Sequence, residues 1–185
     1  MCGMRVLMID APQAMLDERR RLGQDKRDEM WDGVLHMVPP AGGPHQRLGA
    51  RFLAAVTPRA EQHGLVPHYE TGLFQSDDNY RVPDLSFARE EHLSDRGLEG
   101  ADLVVEVRSA RDETYEKLAF YAQMGVQEVL VLHPNPRKVE LYRNVAGRMV
   151  PVQPGAGVFS EVLGVSLQVE EDELVLSWDG ASARI

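Results

Sequence analysis

Two acidic residues stand at positions where a core strand ordinarily carries no charge. Glu106 interrupts the short, β-rich apolar run from Leu103 to Val107, and Asp84 follows Pro83 within a second β-like stretch. Burying a lone carboxylate is costly unless the group is paired or bound to a metal ion. If one strand ends at Pro83-Asp84 and the run with Glu106 is its neighbour in a sheet, the two acids come together.

Such a pair of acids supports one kind of metal chemistry. Carboxylates are hard oxygen ligands suited to Mg²⁺, which one or two protein acids usually hold together with water and a substrate phosphate. The metal lowers the pKa of a bound water and neutralises charge on a phosphoryl oxygen, and a nearby Lys or Arg stabilises the transition state. The simpler alternative is an ion pair of Glu106 with Lys117, or with Arg108 on the same face of the strand.

Other chemistries lack support in the sequence. The six histidines show no HExxH or other zinc spacing, and the chain contains no P-loop, no GxGxxG and no GxSxG. These absences leave Asp84, Glu106 and a nearby cation as the candidate site. Glu70 is a candidate third acid, although a solvent-facing place in a hairpin explains it equally well.

The composition favours one globular domain. With 185 residues, 43% of them hydrophobic, the chain is long enough for a sizeable core, and we expect one domain over residues 1–185. No apolar run approaches the roughly 18 residues of a transmembrane helix. The N-terminus is too short and too soon acidic for a secretory signal, and the single Cys2 excludes an internal disulfide. These features fit a cytoplasmic protein.

The charge balance restricts the partners. A net charge of −9 argues against indiscriminate binding of phosphate backbones. It does not exclude nucleic acid as a substrate, because a metal ion and a local basic patch offset the global field. The densest basic cluster is Arg19-Arg20-Arg21 with Lys26-Arg27. A solvated helix end explains this cluster better than a contact with a phosphate backbone does.

Hydrophobic spacing predicts an α+β fold with a mixed sheet. Three segments have helical spacing: 11–21 with Asp10 as N-cap, 45–62 and about 113–124. The predicted strands are 66–74 with Glu70 in the middle, 80–87, 103–107, 126–132, 139–143, 148–152, 158–169 and 174–178. The first two strands form a hairpin through Asp77-Asp78-Asn79, and residues 139–152 form another that turns at Ala146-Gly147.

Pro83-Asp84 followed by Glu106-Val107-Arg108 resembles the PD-(D/E)xK motif of the restriction-endonuclease-like superfamily. More closely, the chain resembles the Uma2-type endonuclease family over roughly residues 15 to 169. The matching stretches are Trp31-Asp32-Gly33-Val34-Leu35, Pro39-Pro40 with His45-Gln46, Arg81 to Phe87, Leu103 to Ser109, Glu116-Lys117-Leu118 with Tyr121, Gly125 to Val129, Val139 to Tyr142 and Phe159-Ser160. The resemblance implies a restriction-endonuclease-like mixed β-sheet core flanked by helices, at about residues 29–152. An N-terminal helix and extra C-terminal β-strands would surround this core.

The resemblance also implies roles for the candidate residues. Asp84 and Glu106 would be metal ligands, with Glu70 as a third acid. The motif lysine is replaced by Arg108, whose guanidinium stays protonated and cannot act as a base. Lys117 matches a lysine position of the family, and we prefer it to Arg108 as the catalytic cation. The alternative is that Lys117 is an ordinary exposed helix lysine.

Three further residues match family positions near the first helix, namely Glu29, Asp32 and His45. Turn formation and helix capping explain them about as well as function does. The resemblance gives them no separate role.

The expected function is metal-dependent hydrolysis of nucleic-acid phosphodiester bonds, most of all in DNA. Mg²⁺ would be the cofactor, with Mn²⁺ as a substitute. The alternative is a non-catalytic binding or interaction protein on the same fold, favoured by the acidic balance and the missing motif lysine. We expect a homodimer, because enzymes of this size that cut both strands of duplex DNA commonly pair through a two-fold axis.

Overall fold

The computed structural model describes residues 6–109, 112–153, 155 and 157–185. These residues form helices α1 (Gln13–Arg21), α2 (Gly43–Gln62) and α3 (Leu118–Gln123). The strands are β1 (Val6–Ile9), β2 (Glu29–Trp31), β3 (Val34–Met37), β4 (Val66–Tyr69), β5 (Leu73–Ser76), β6 (Asn79–Arg81), β7 (Leu85–Ala88), β8 (Leu93–Ser94), β9 (Gly97–Leu98), β10 (Leu103–Val107), β11 (Glu128–Pro134), β12 (Arg137–Val145), β13 (Arg148–Pro151), β14 (Val158–Ser160), β15 (Val165–Glu170), β16 (Glu173–Trp178) and β17 (Ala181–Arg184).

The central sheet has six strands in the order β13-β12-β11-β10-β7-β4. Strand β10 is parallel to β11, whereas the other neighbours are antiparallel, so the sheet is mixed. The other two sheets have the orders β1-β3-β2-β6-β5-β9-β8 and, at the C-terminal end, β14-β15-β16-β17. The prediction of an α+β fold, with a mixed core sheet, flanking helices and extra C-terminal strands, is confirmed.

Strand β10 is buried on both faces, which explains its nearly unbroken apolar sequence. Leu103, Val105 and Val107 belong to the core cluster that includes residues of α2, whereas Val104 belongs to the cluster that includes residues of α3. Side chains alternate between the faces of a strand. Glu106 therefore lies on the face of Val104 and points to the α3 side.

The predicted strands 66–74 and 80–87 are each divided, which corrects the sequence prediction. The first breaks at Glu70, whose φ is +46°, a conformation that interrupts a strand. The second breaks at Pro83, which has no N–H to donate to a sheet. Strands β4 and β7 consequently lie in the central sheet, whereas β5 and β6 pair as a hairpin in the seven-stranded sheet. Across the break, the Glu70 N–H donates to the Asp84 carbonyl at 3.1 Å.

Several predicted bounds also differ from the structure. Helix α1 begins at Gln13, and Asp10 lies outside it with a φ of +54° and does not act as the N-cap. Helix α3 is shorter than predicted, because Thr114 to Lys117 form turns before it. Strand β11 begins at Glu128 and continues to Pro134, and the predicted strand 158–169 is two strands. The hairpin that turns at Ala146-Gly147 is confirmed, with φ of +50° and +80° at these residues.

A buried carboxylate links the central and C-terminal sheets. Glu128 is 1% exposed, at the start of β11. Its Oε1 accepts hydrogen bonds from Arg143 Nη2 at 2.9 Å and from the Glu161 N–H at 3.0 Å. Its Oε2 accepts one from Ser160 Oγ at 2.6 Å. The carboxylate therefore satisfies donors that would otherwise be buried without partners.

We expect Glu128→Ala to lower the free energy of unfolding by about 1–3 kcal/mol, since it leaves the fully buried Ser160 hydroxyl without its carboxylate partner. Urea unfolding measures this loss. Glu161→Ala is the matched control, because Glu161 pairs with the same Arg143 at 3.0 Å while its side chain is 65% exposed. Exposed ion pairs contribute about 0–1 kcal/mol. Equal losses in the two variants would contradict the structural role of Glu128.

Candidate active site

Asp84 lies directly before β7, beside the end of β10. Leu85 pairs with Val105 in antiparallel register, so the next position along places Asp84 beside Glu106. Asp84 Oδ2 accepts a hydrogen bond from the Val107 N–H at 2.7 Å and lies 3.2 Å from His45 Nε2 of α2. The carboxylate is thus fixed between the strand end and the first turn of α2.

Glu106 is a buried carboxylate with two partners on one oxygen. Its Oε1 lies 3.2 Å from Lys117 Nζ and accepts a hydrogen bond from the Tyr121 hydroxyl. Burial raises the pKa of the Glu106 carboxyl to about 7, although the charge of Lys117 opposes this rise and the charge of Asp84 adds to it. Glu106 therefore titrates near neutral pH.

Lys117 reaches Glu106 from the turn before α3. Its ammonium also lies 2.8 Å from Glu29 Oε1, and the residue is 9% exposed. Burial alone would lower the pKa of Lys117, but the charges of Glu106 and Glu29 outweigh burial and the pKa is raised. The ammonium is consequently charged at neutral pH and held between two carboxylates. The alternative of an exposed helix lysine does not fit this position.

Glu29 is a residue of the site that sequence reasoning left without a role. It is 1% exposed and comes from β2 of the seven-stranded sheet. Its Oε1 accepts from the Val82 N–H at 2.9 Å, and its Oε2 accepts from Trp31 Nε1 at 2.8 Å. These bonds fix the carboxylate that holds Lys117. Its match to a family position was the only signal in the sequence.

Each of the two acids keeps one oxygen without a hydrogen bond from the residues that the structure describes, Oδ1 of Asp84 and Oε2 of Glu106. Such hard oxygen donors fit Mg²⁺, which one or two carboxylates and several waters commonly hold. Across the described residues no group of three or more His, Cys, Asp or Glu side chains is arranged to hold a metal ion. Two carboxylate oxygens from the protein would leave the remaining ligands of such an ion to water and substrate.

Glu70 lies beside Asp84 through its backbone, but its carboxylate is engaged elsewhere. Its Oε1 lies 2.5 Å from Arg27 Nη2 and accepts from Gln46 Nε2 at 3.3 Å. The side chain is 20% exposed. The backbone of Glu70 thus lies next to Asp84, whereas its carboxylate pairs with Arg27.

Arg108 comes directly after β10, two residues beyond Glu106, but pairs with a different acid. Its Nη1 lies 2.9 Å from Asp112 Oδ1, and its guanidinium carbon is 4.6 Å from the centre of the Tyr115 ring. The Glu106 carboxylate contacts Lys117 instead. Of the two cations considered from the sequence, Lys117 is the one that the fold brings to Glu106.

Of two other residues singled out in the sequence, His45 lies at the candidate site and Asp32 lies in a turn. His45 contacts Asp84, and its Nδ1 is buried without a hydrogen bond from the described part of the chain. Burial is the largest single influence and lowers the pKa of His45, but the hydrogen bond and charge of Asp84 and the charges of Glu106 and Asp112 together outweigh it, so the pKa is raised. Asp32 instead occupies a turn with φ of +48° and accepts from Asn79 Nδ2 at 2.8 Å. Turn formation explains Asp32.

The raised pKa of Glu106 predicts a pH-dependent stability. Between the usual carboxyl pKa of 4.5 and the folded value of about 7, the folded state binds a proton that the unfolded state has released. Stability then falls as the pH rises through this window. We expect urea unfolding to show this fall in the wild type and a flatter profile in Glu106→Gln, which does not titrate. Identical pH profiles would contradict the raised pKa.

Two comparisons show the fold and the family of this chain. The solved structure of a "putative nuclease" of the DUF820 family from Anabaena variabilis superposes on this chain with a TM-score of 0.63 at 18% identity, over 80% of this chain and 90% of the other. The two proteins share a fold. The family described as "Putative restriction endonuclease", Uma2, matches residues 15–172. This chain belongs to that family.

The remaining comparisons are weaker. The DrdV–DNA complex shares 15% identity with a TM-score of 0.37, over 57% of this chain and 10% of DrdV. Among curated proteins, none matches this chain. None of the helices in the described part of the chain is long and apolar enough to cross a membrane.

Proposed function

We propose that this protein is a metal-dependent endonuclease that hydrolyses phosphodiester bonds in DNA, with Mg²⁺ as its ion and Mn²⁺ as a substitute. The observation that carries the proposal is the placement of Asp84 next to Glu106 in the pairing of β7 with β10, with one oxygen of each carboxylate free of hydrogen bonds from the described residues. The fold supplies two carboxylates with open oxygens and a fixed cation, although the chain lacks the motif lysine on β10. Membership of a family described as restriction endonucleases supports the same conclusion.

The proposed metal ligands are Asp84 Oδ1 and Glu106 Oε2. Glu70, near Asp84, is the proposed third acid. Bound there, Mg²⁺ would supply Lewis acidity and a water of lowered pKa. Lys117 would place its charge toward the phosphoryl group, where a partly dry site makes each charge more effective than it is at the surface. Glu29 positions this ammonium.

Arg108, the other candidate cation, would have a structural role. Arg108 holds Asp112, and Asp112 Oδ2 in turn accepts from the Ser109 N–H at 2.5 Å. The planar guanidinium suits such a bridge between a strand end and the following turn. It would fix the chain between β10 and Lys117 without touching the substrate.

The experiment that tests the function is incubation of purified protein with supercoiled plasmid DNA in Mg²⁺, in Mn²⁺ and in EDTA. An RNA transcript of the same sequence runs in parallel. We expect nicked and linear DNA with either metal and intact plasmid in EDTA. DNA binding without cleavage in any metal would overturn the proposal and favour the non-catalytic binding protein. Cleavage of the RNA alone would overturn DNA as the substrate.

The homodimer stays a prediction. Three apolar side chains, Val145, Val150 and Phe159, are 55%, 44% and 49% exposed. They lie on β12 to β14, and burial of such side chains commonly accompanies association through a two-fold axis. A monomeric mass by light scattering at micromolar concentration would contradict the prediction.

A further inference from the structure

A cleft of about 450 Å³ lies between the start of α2 and the end of β11. Three arginines line it, Arg47 and Arg51 from α2 and Arg137 from the start of β12. The other lining residues are Gly43, Pro44, Leu48, Pro134, Glu173 and Ile185. The single acidic side chain among these lining residues, Glu173, lies 3.5 Å from Arg184 Nη1. The cleft is therefore strongly positive in a chain whose net charge is −9.

The arginines of the cleft differ from the basic cluster at the end of α1. There, Arg19 lies 2.6 Å from Asp28, Arg21 lies 2.6 Å from Glu18, and Arg27 lies 2.5 Å from Glu70. Carboxylates of the protein thus neutralise much of that cluster. Its preferred interpretation as a solvated helix end agrees with these pairs.

The three arginines of the cleft form no such ion pair with a carboxylate among the described residues. Arg51 Nη2 donates to the Arg184 carbonyl at 3.0 Å, and Arg137 Nε donates to the Asp172 carbonyl at 3.4 Å. Arg47 is exposed. Since carbonyls leave the guanidinium charge in place, three uncompensated charges converge on one cleft. Such an arrangement attracts an anion with several oxygen acceptors, and a phosphate diester is of this kind.

The cleft lies at the same end of the central sheet as the candidate active site. The first turn of α2 carries His45, which contacts Asp84, and Pro44 and Arg47, which line the cleft. Pro134 ends β11, which is two strands from β7. The cleft lies on the α2 side of the sheet, whereas Glu106 points to the α3 side. His45 joins the two places, because it lies on α2 and contacts Asp84.

We propose that this arginine cleft, formed by Arg47, Arg51 and Arg137, binds a backbone phosphate of the DNA on the α2 side of the sheet end at which Asp84 lies. The inference rests on the proposed endonuclease function for its substrate. The cleft would hold the strand in register while the carboxylates act on the scissile phosphate. It also explains how a chain with an acidic balance retains DNA, because the local positive charge opposes the global field.

The test measures DNA binding by fluorescence anisotropy in EDTA, where no cleavage occurs, at several salt concentrations. We expect the triple variant Arg47→Gln, Arg51→Gln, Arg137→Gln to bind a labelled duplex roughly tenfold or more weakly, since charge-assisted hydrogen bonds are lost. The slope of log K against log salt should become shallower by about one for each phosphate contact removed. The single variant Arg47→Gln, which breaks no hydrogen bond with the described residues, should show part of both effects.

The matched control is the triple variant Arg20→Gln, Arg21→Gln, Arg148→Gln, which removes the same charge from exposed residues outside the cleft. It should bind with the wild-type salt slope. Equal weakening in both triple variants, or wild-type binding by the cleft variant, would overturn the inference.

The same measurements separate this inference from the proposed function. A wild-type protein that cleaves plasmid with Mg²⁺, while the cleft variant binds and cleaves normally, removes the cleft and keeps the endonuclease. A wild-type protein that binds through the cleft but never cleaves keeps the phosphate site and removes the endonuclease. Absence of any DNA binding by the wild type overturns both.

Discussion

Asp84→Asn should abolish metal-dependent cleavage while leaving the fold intact. The amide oxygen still accepts a hydrogen bond from the Val107 N–H, which is 2.7 Å from the carboxylate in the wild type. The variant loses the negative charge that a divalent cation requires. We expect the cleavage rate to fall on the order of 10²-fold or more. Isothermal titration with Mn²⁺ should show weakened or lost binding in parallel.

Asp95→Asn is the control for this change, because Asp95 is exposed and lies in the turn between β8 and β9, at the edge of the seven-stranded sheet. It should keep the wild-type rate and the wild-type heat of Mn²⁺ binding. The melting temperatures of both variants should stay close to that of the wild type. Full cleavage by Asp84→Asn would remove Asp84 from the metal site and would remove the proposed mechanism with it.

Lys117→Met should have two separable consequences. The cleavage rate should fall on the order of 10²-fold or more, because a fixed charge at the phosphoryl group is lost. The free energy of unfolding should fall by about 3–5 kcal/mol, because Glu29 and Glu106 remain buried without their shared cation. Plasmid nicking and urea unfolding measure the two effects. Lys138→Met, whose side chain is 60% exposed, should change stability by about 0–1 kcal/mol and leave the rate unchanged.

A double variant separates catalysis from stability. Adding Glu29→Gln to Lys117→Met removes one of the two unpaired carboxylates and should restore part of the lost stability. It should restore no cleavage, because the ammonium is still missing. Recovery of the rate together with stability would show that Lys117 serves the fold alone. A full rate in Lys117→Met by itself would leave Arg108 as the remaining candidate cation.

The sequence predicted the strand ends at which the two acids lie because the apolar pattern of a strand and its Pro-Asp boundary are local properties. An apolar run with a single charge and a Pro-Asp terminus define two strand ends. The antiparallel pairing of Leu85 with Val105 then brings the two acids together. The amphipathic spacing of α2 likewise predicted a helix that the structure contains, with bounds within two residues of the expected ones. Periodicity carries this information directly.

Other features depend on contacts that no local pattern encodes. The strand break at residues 70–72 contains Gly72, but the positive φ falls on Glu70, a residue type that rarely adopts it. The shortened start of α3 belongs to a segment that is anchored by Lys117, whose partners come from β2 and β10. Glu29 lies far from Lys117 and from β10 in the sequence. Its role follows from the tertiary fold and not from its own surroundings in the sequence.

Lys117 reaches Glu106 from a turn rather than from β10. In a linear motif, the position of the cation in space also sets its spacing from the acid in the sequence. In this protein the two are independent. On a strand, a cation two residues after the acid lies on the same face, because side chains alternate between the faces. A cation that arrives from another element can occur at any spacing that the connecting segment allows. A pattern search that demands lysine two residues after Glu106 would therefore discard this chain. A search built on the spatial arrangement of acid and ammonium would retain it.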